Sequence, residues 1–233
     1  MVFSRYTKLI REFNLNFPKN NIKETIPDIL TRNIPRELIL AIEEALHIGS
    51  RRALAAASGM NEGHLPHVVG QMRHFHMNES FHRSLTVGNS SPTPIKGNGI
   101  ITGRAGIVKL ARFNIPEGIW VNGRRSKTRR QMSFANKAIE PLVQPELFNI
   151  YEPPAEVVAF FVACFSGSIH IQPETPSSIQ IAIPDRNMQG WLFKESLTEF
   201  LKRYEQVTTT QVDLAIPKLK SVISKKNKDG NQA

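Results

Sequence analysis

One short segment divides this chain into two parts with different residue patterns. Residues 87–98, VGNSSPTPIKGN, combine Gly, Ser, Pro and Asn without periodicity, which is typical of an irregular connection. Before this segment apolar residues recur at helical spacing, and after it short apolar runs are bounded by glycines, as in strands. The change predicts an α+β fold: a helical N-terminal part followed by a small antiparallel sheet with two or three packed helices.

The same reading gives boundaries for the parts of the chain. We expect an N-terminal arm at 1–35, a helical part at 36–86, the linker at 87–98, a mixed α+β part at 99–205, and a basic, disordered tail at 206–233.

Individual elements are predicted from periodicity and from the positions of Gly and Pro. Helices are expected at 37–46, 51–58, 65–85, 126–139, 153–165 and 194–204, and strands at 99–103, 106–113, 119–121 and 179–183.

Composition places the chain in a broad class. Of the 233 residues 40% are hydrophobic, which is enough for a core, but no run reaches about 18 apolar residues, so a membrane span is not expected. The N-terminus lacks the apolar core of a secretory signal. The single cysteine, Cys164, cannot form an internal disulfide and is expected to be a small core residue of the 153–165 helix. We therefore expect a cytoplasmic protein.

Positive charge is concentrated in one block of the sequence. The formal net charge is +10, and residues 96–137 hold ten basic side chains against the single acid Glu117. Lys and Arg in such a block displace condensed counterions from nucleic-acid phosphates, so the block predicts a nucleic-acid partner. The alternative is that residues 138–201, which are mostly acidic where charged, neutralise the block within the fold.

The densest part of this block is the segment 123–130, GRRSKTRR, which we name the Arg-rich segment. Trp120 precedes it and Phe134 follows it. Arginine suits phosphate because its planar fork donates two parallel hydrogen bonds and can stack on a base. A cationic cluster at a helix start opposes the helix dipole, which favours either a bound anion or a loop there. The predicted phosphate contacts are Arg104, Lys109, Arg112, Arg124, Arg125, Lys127, Arg129 and Arg130.

A helix-turn-helix is a second candidate for nucleic-acid contact. Ala55, Gly59 and Leu65 have the spacing of a close crossing, a turn and an inward residue. In that arrangement Asn61, His64 and His67 would face bases in the major groove. Pro66 and Gly63 would interrupt the recognition helix, so an ordinary helical hairpin is the alternative.

Histidines cluster between residues 64 and 82. Glu79 and His82 are three apart, as in metal-binding helices, and His74 lies nearby, so these three residues are the candidates for a metal-dependent enzyme. A simpler interpretation is a polar stripe on one helix that faces either solvent or a ligand, formed by His67, Gln71, His74, Asn78 and His82. Neither a phosphate-binding glycine motif nor a nucleophile motif occurs in the sequence. The patterns thus leave open whether the protein is an enzyme, lean against enzymatic activity, and indicate no cofactor.

Together these patterns predict a cytoplasmic DNA-associated regulator of transcription that grips phosphates with its Arg-rich segment. DNA is favoured over RNA as the partner, and no membrane contact is expected. A metal-dependent enzyme and a protein-protein adaptor with an acidic protein partner are the alternatives. The sequence also leaves open whether the chain forms a homodimer.

Overall fold

A five-stranded mixed sheet with helices on both faces forms the centre of the protein. The computed structural model describes residues 24–143, 153–167 and 172–208. Their α-helices are α1 (Ile26–Asn33), α2 (Arg36–Ala57), α3 (Leu65–Val87), α4 (Lys127–Ser133), α5 (Glu140–Val143) and α6 (Leu197–Thr208). Two 3-10 helices, Trp120–Arg125 and Phe134–Ile139, flank α4, and the strands are β1 (Thr102–Ala105), β2 (Val108–Pro116), β3 (Val157–Phe165), β4 (Ser178–Pro184) and β5 (Trp191–Ser196). The predicted α+β class, helical part first, is confirmed.

The strands lie in chain order across the sheet, from β1 at one edge to β5 at the other. Neighbouring strands are antiparallel except β2 and β3, which pair in parallel with Val108 opposite Val157. Parallel strands need a crossover connection, and here it contains α4, α5 and both 3-10 helices. The sheet is therefore mixed rather than wholly antiparallel.

The helix predicted at 153–165 is wrong, because residues Val157–Phe165 form the central strand β3. Eight of its nine residues are buried, and its sequence VVAFFVACF is apolar on both faces. Odd-numbered residues such as Phe161 pack towards α1, α2, α3 and α6, and even-numbered ones such as Phe160 pack towards α4 and its flanking 3-10 helices. A continuous apolar run has no period that separates strand from helix. Cys164 consequently lies in this strand, where burial raises the pKa of its thiol.

Helices α2 and α3 form an antiparallel hairpin packed along its length. A Cβ added to Gly49 would lie 2.7 Å from the Cα of Met77, and one added to Gly88 would lie 2.5 Å from Cδ1 of Leu38. The start of α2 therefore meets the end of α3. The structure shows one long helix, α2, where two were predicted, because Gly49 permits close approach of the helices instead of ending the first one.

The arm predicted at 1–35 is in part a core element. Thr25 caps α1 in a capping box with Asp28, and Ile26, Ile29 and Leu30 are buried against α2 and the sheet core. Residues 1–23 of the predicted arm lie outside the described residues, as do residues 209–233 of the predicted tail.

The remaining elements agree with the predictions in part. The strand predicted at 179–183 is confirmed as the middle of β4. Residues 119–121, predicted as a strand, enter a 3-10 helix, and the helix predicted at 126–139 is split between α4 and a 3-10 turn. The helix predicted at 194–204 begins at Leu197, since residues 194–196 end β5, and β1 begins at Thr102 rather than at 99. None of the helices among the described residues is long and apolar enough to cross a membrane.

Candidate nucleic-acid interface

The Arg-rich segment lies where the first 3-10 helix meets α4, on the sheet face opposite α2 and α3. Ser126 caps α4 by accepting a hydrogen bond from the backbone N–H of Arg129. Gly123 is buried against the ring of Phe113, since an added Cβ would lie 3.2 Å from Cζ of that ring. The segment is thus held against the sheet by its backbone, at a position where a side chain would have to displace the ring of Phe113 by a few tenths of an ångström.

Arg129 anchors the segment from within. Its Nε donates to the carbonyl oxygen of Gly123 at 2.7 Å, and its Nη2 donates to that of Asn122 at 3.3 Å. The guanidinium also lies 4.7 Å from the ring centroid of Phe113, which is within cation-π range. Burial lowers the pKa of Arg129. Because Nε and Nη2 both donate to backbone carbonyls of the segment, Arg129 positions the segment.

The other four cations of the segment point into solvent. Arg124, Arg125, Lys127 and Arg130 are all exposed. Among the described residues no carboxylate lies within 4.0 Å of any of them, whereas other cations of the protein do form ion pairs. In the described part of the chain, the acidic residues of the 138–201 block therefore do not pair with these four cations.

An open cleft of about 700 Å³ runs beside these cations. Lys127, Arg130 and Phe134 line one wall, at the three- and four-residue spacing that places side chains on one helical face. Phe134 is 62% exposed, so its ring is accessible to a ligand in the cleft. We name this groove the basic cleft.

The turn between β4 and β5 supplies the opposite wall of the basic cleft. Arg186, Asn187 and Gln189 line it. The carboxylate of Asp185 accepts backbone hydrogen bonds from Asn187, Gln189 and Gly190 at 2.6–3.1 Å, which fixes the turn. The cleft therefore combines an exposed aromatic ring, side-chain amides and three cations, of which Lys127 and Arg130 have no carboxylate within 4.0 Å in the described ranges and Arg186 pairs with Glu140 at 3.6 Å.

A second anchor fixes the 3-10 helix that carries Phe134. Asn136 is fully buried, and its amide group bonds to both the N–H and the C=O of Val158 and to the C=O of Pro184. It thereby ties this helix to β3 and β4.

The predicted phosphate contacts on β1 and β2 lie elsewhere. Arg104 and Lys109 face each other across the β1-β2 hairpin, and Arg104 lies 3.8 Å from a carboxylate oxygen of Glu156. Arg112 is only 5% exposed and donates to the side-chain oxygens of Asn78 and Asn114. The buried position of Arg112 contradicts its predicted role as a surface contact, because the alternation of β2 turns it under α3.

The candidate base-contacting residues lie at the tip of the helical hairpin. Asn61, His64 and His67 are all exposed, with Asn61 and His64 in the connection and His67 in the first turn of α3. The two helices run antiparallel along their whole length, so the ordinary hairpin describes this pair and the crossing of a helix-turn-helix is not formed.

The candidate metal ligands are not brought together. The carboxylate of Glu79 lies 3.1 Å from Arg52 and 3.7 Å from Nδ1 of His76, and His74 contacts Asn78 instead. Over residues 24–143, 153–167 and 172–208, no group of three or more His, Cys, Asp or Glu side chains could hold a metal ion. The structure offers the metal hypothesis no site built from Glu79, His82 and His74.

Comparisons with protein-family models, with curated proteins and with solved structures found no match for this chain.

Four residues of the basic cleft were missed by the sequence analysis, one of them being Gln131, which directly follows the Arg-rich segment. Arg186, Asn187 and Gln189 are about 55 residues away from the Arg-rich segment in the chain, inside a block that is acidic overall. The available signal was the sequence Asp185 to Gly190 after a strand, which is a turn pattern, but it carries no information about what the turn faces.

Proposed function

We propose that this chain is a nucleic-acid-binding protein whose basic cleft and Arg-rich segment contact the phosphates and bases of a bound strand. In line with the sequence, we propose DNA as the preferred nucleic acid, regulation as the role and the cytoplasm as the compartment. The observation that carries the proposal is the cleft itself: the exposed cations Lys127 and Arg130 line it together with exposed Phe134, and Arg186, which pairs with Glu140, adds a third cation.

The chemistry of the cleft suits a single strand. Cations that track a backbone next to an exposed aromatic ring are the usual means of binding unpaired nucleic acid, because each base has a face that can stack. Phe134 would receive a base, while Lys127 and Arg130 would contact the adjoining phosphates. Asn187 and Gln189 would offer amide donors and acceptors to base edges.

The electrostatics support phosphate in preference to a carboxylate partner inside the fold. Four exposed cations have no acidic partner within 4.0 Å in the described ranges, and Arg129 holds their backbone in place from below. A preorganised cationic surface loses little conformational entropy when a phosphate binds.

The test compares two double variants that remove equal charge. In Lys127→Ala/Arg130→Ala both changes lie in the cleft, and in Arg51→Ala/Arg83→Ala both lie on exposed faces of α2 and α3. Fluorescence anisotropy of labelled single-stranded DNA, duplex DNA and RNA of one sequence measures binding. We expect the cleft variant to lose at least tenfold in affinity for single strands and the control variant to lose less than threefold.

Other outcomes would redirect the proposal. Equal losses in the two variants would mean that net charge alone drives binding and that the cleft is not the site. Stronger binding to RNA than to DNA would correct the preferred nucleic acid. If the protein captures partners in a nuclease-treated sample and binds no oligonucleotide, the adaptor hypothesis replaces this one.

A further inference from the structure

A second cleft, on the other side of the sheet, also has a polar lining. It is open, about 710 Å³ in volume, and lies along the N-terminal half of α3. His67, Gln71, His74 and Phe75 line it, together with Asn98 from the connection to β1. We name it the α3 cleft. It contains three residues of the polar stripe that the sequence predicted to face solvent or a ligand, and the proposed nucleic-acid function does not use it.

Hydrogen bonding determines which nitrogen of His74 carries the proton. Arg112 can only donate, so the Asn78 atom at 2.9 Å from its Nη1 is the oxygen. The amide nitrogen of Asn78 then lies 3.3 Å from Nε2 of His74 and donates to it. Nε2 is therefore the acceptor, and a neutral His74 carries its proton on Nδ1.

Arg112 places a positive charge near this histidine, and among the described residues no carboxylate pairs with that charge. Arg112 is 5% exposed, all its hydrogen-bond acceptors are uncharged, and its Nε has no partner in the described part of the chain. Burial, followed by the charge of Arg129, lowers the pKa of Arg112 to about 9. Burial and both arginines lower the pKa of His74. A buried cation with only neutral partners favours a negative group nearby.

The rest of the lining has the features of a nucleotide site. His67, Gln71 and Asn98 supply polar side chains, and no carboxylate of the described residues lines the cleft. Phe75 is 41% exposed and meets the ring of His74 edge to face, with 5.4 Å between centroids. It offers a flat apolar surface next to the donors, as stacking of a base requires.

We propose that the α3 cleft binds a nucleotide, free or within a single strand, with its phosphate at the Nδ1–H of His74 and its base on Phe75. Arg112 is a positioning residue in this site, since it acts through Asn78 and His74. The inference goes beyond the proposed function, because a site for a free nucleotide does not depend on the basic cleft.

The experiment follows the imidazole signals of His74 by NMR in the full chain. AMP, adenosine and inorganic phosphate are each added to the wild type and to three variants. Gln71→Ala and Asn98→Ala alter exposed lining residues, so neither variant removes a core contact. His82→Gln is the matched control, because it changes a histidine of α3 that does not line the cleft.

The expected result is a saturable shift of the His74 signals with AMP. Adenosine and phosphate should each bind at least tenfold more weakly than AMP, Gln71→Ala and Asn98→Ala should each weaken AMP binding at least threefold, and His82→Gln should have no such effect. No shift of His74 at 10 mM AMP, or equal binding of adenosine and AMP, would overturn the proposal.

The outcome is separable from that of the proposed function. The variant with Lys127 and Arg130 replaced by Ala should bind AMP as the wild type does. If the protein binds AMP but no oligonucleotide, the α3 cleft stands and the proposed function fails. If single strands bind without moving the His74 signals, the α3 cleft is not part of the strand's path.

Discussion

Two neighbouring arginines of the Arg-rich segment should respond to the same substitution in opposite ways. Arg129 is anchored by the carbonyls of Gly123 and Asn122 and by the ring of Phe113, whereas Arg130 is exposed and lines the basic cleft. Methionine removes the charge and the donors at either position while keeping an unbranched chain. The variants Arg129→Met and Arg130→Met therefore separate anchoring from ligand contact.

The magnitude for Arg129→Met follows from its contacts. The bond of 2.7 Å to Gly123 is a charged one, which contributes about 1.5–3 kcal/mol, and the cation-π contact adds about 0.5–1 kcal/mol. The bond of 3.3 Å is weaker, and removing the charge recovers part of the cost of burying it. We expect a net loss of about 2 kcal/mol, or a decrease of about 4–8 °C in Tm.

For Arg130→Met the expected pattern is reversed. Arg130 is exposed, and the described part of the chain provides no partner for its side chain, so its replacement should alter the free energy of unfolding by at most about 0.5 kcal/mol. Loss of one phosphate contact should lower the salt slope of single-strand binding by about 0.7. Urea unfolding followed by circular dichroism gives the first quantity, and anisotropy at several salt concentrations gives the second.

The comparison can refute the geometry directly. Equal unfolding midpoints for Arg129→Met and Arg130→Met would mean that Arg129 does not hold the segment. A larger effect on the salt slope from Arg129→Met than from Arg130→Met would mean that the roles of the two arginines are exchanged.

Three further predictions concern the frame of the two clefts. Gly49→Ala should destabilise the protein by about 1–2 kcal/mol, because the added Cβ meets the backbone of α3. Gly70→Ala should stabilise it by about 0.5–1 kcal/mol, because the space around Gly70 is open. If urea unfolding shows that both variants are destabilised, the hairpin packing is contradicted. Asn136→Ala should cost about 3 kcal/mol, since it leaves buried groups of Val158 and Pro184 unpaired, and a loss below 1 kcal/mol would show that these bonds are not formed. Folding lowers the pKa of His74, so at a pH near or below 6.5 the unfolded chain binds more protons than the folded one, and stability should fall as the pH drops through 6.5. His74→Gln should reduce that fall. An unchanged pH profile of stability in this variant would refute the lowered pKa of His74.

Much of the fold could be predicted because its elements have clear local signals. The apolar spacing in α2 and α3 predicts helices, the alternation in β4 predicts a strand, and the structure contains all three elements. The strand β3 could not be distinguished from a helix, since a strand buried on both faces lacks the alternation of a half-exposed one. Gly49 likewise has two local interpretations, a helix end or a close contact, and only the partner helix decides between them.

Less of the candidate site than of the fold could be predicted from the sequence. The Arg-rich segment is evident from composition, but composition cannot show that Arg129 turns inward while Arg130 stays exposed. Nor can it show that Arg112 is buried, because that depends on which face of β2 meets α3. Arg186 joins the cleft only through the pairing of β3, β4 and β5, a long-range property that no local pattern contains.

The most direct test of the central claim is the salt dependence of binding. The full chain and the variant with Arg124, Arg125, Lys127 and Arg130 all changed to Ala are titrated with labelled single-stranded DNA from 50 to 300 mM salt. If these four cations each contact a phosphate, the wild type should show a steep slope and the variant a slope lower by up to about 3. Identical slopes, or no binding by the wild type at the lowest salt, would contradict the account of this surface as a nucleic-acid interface.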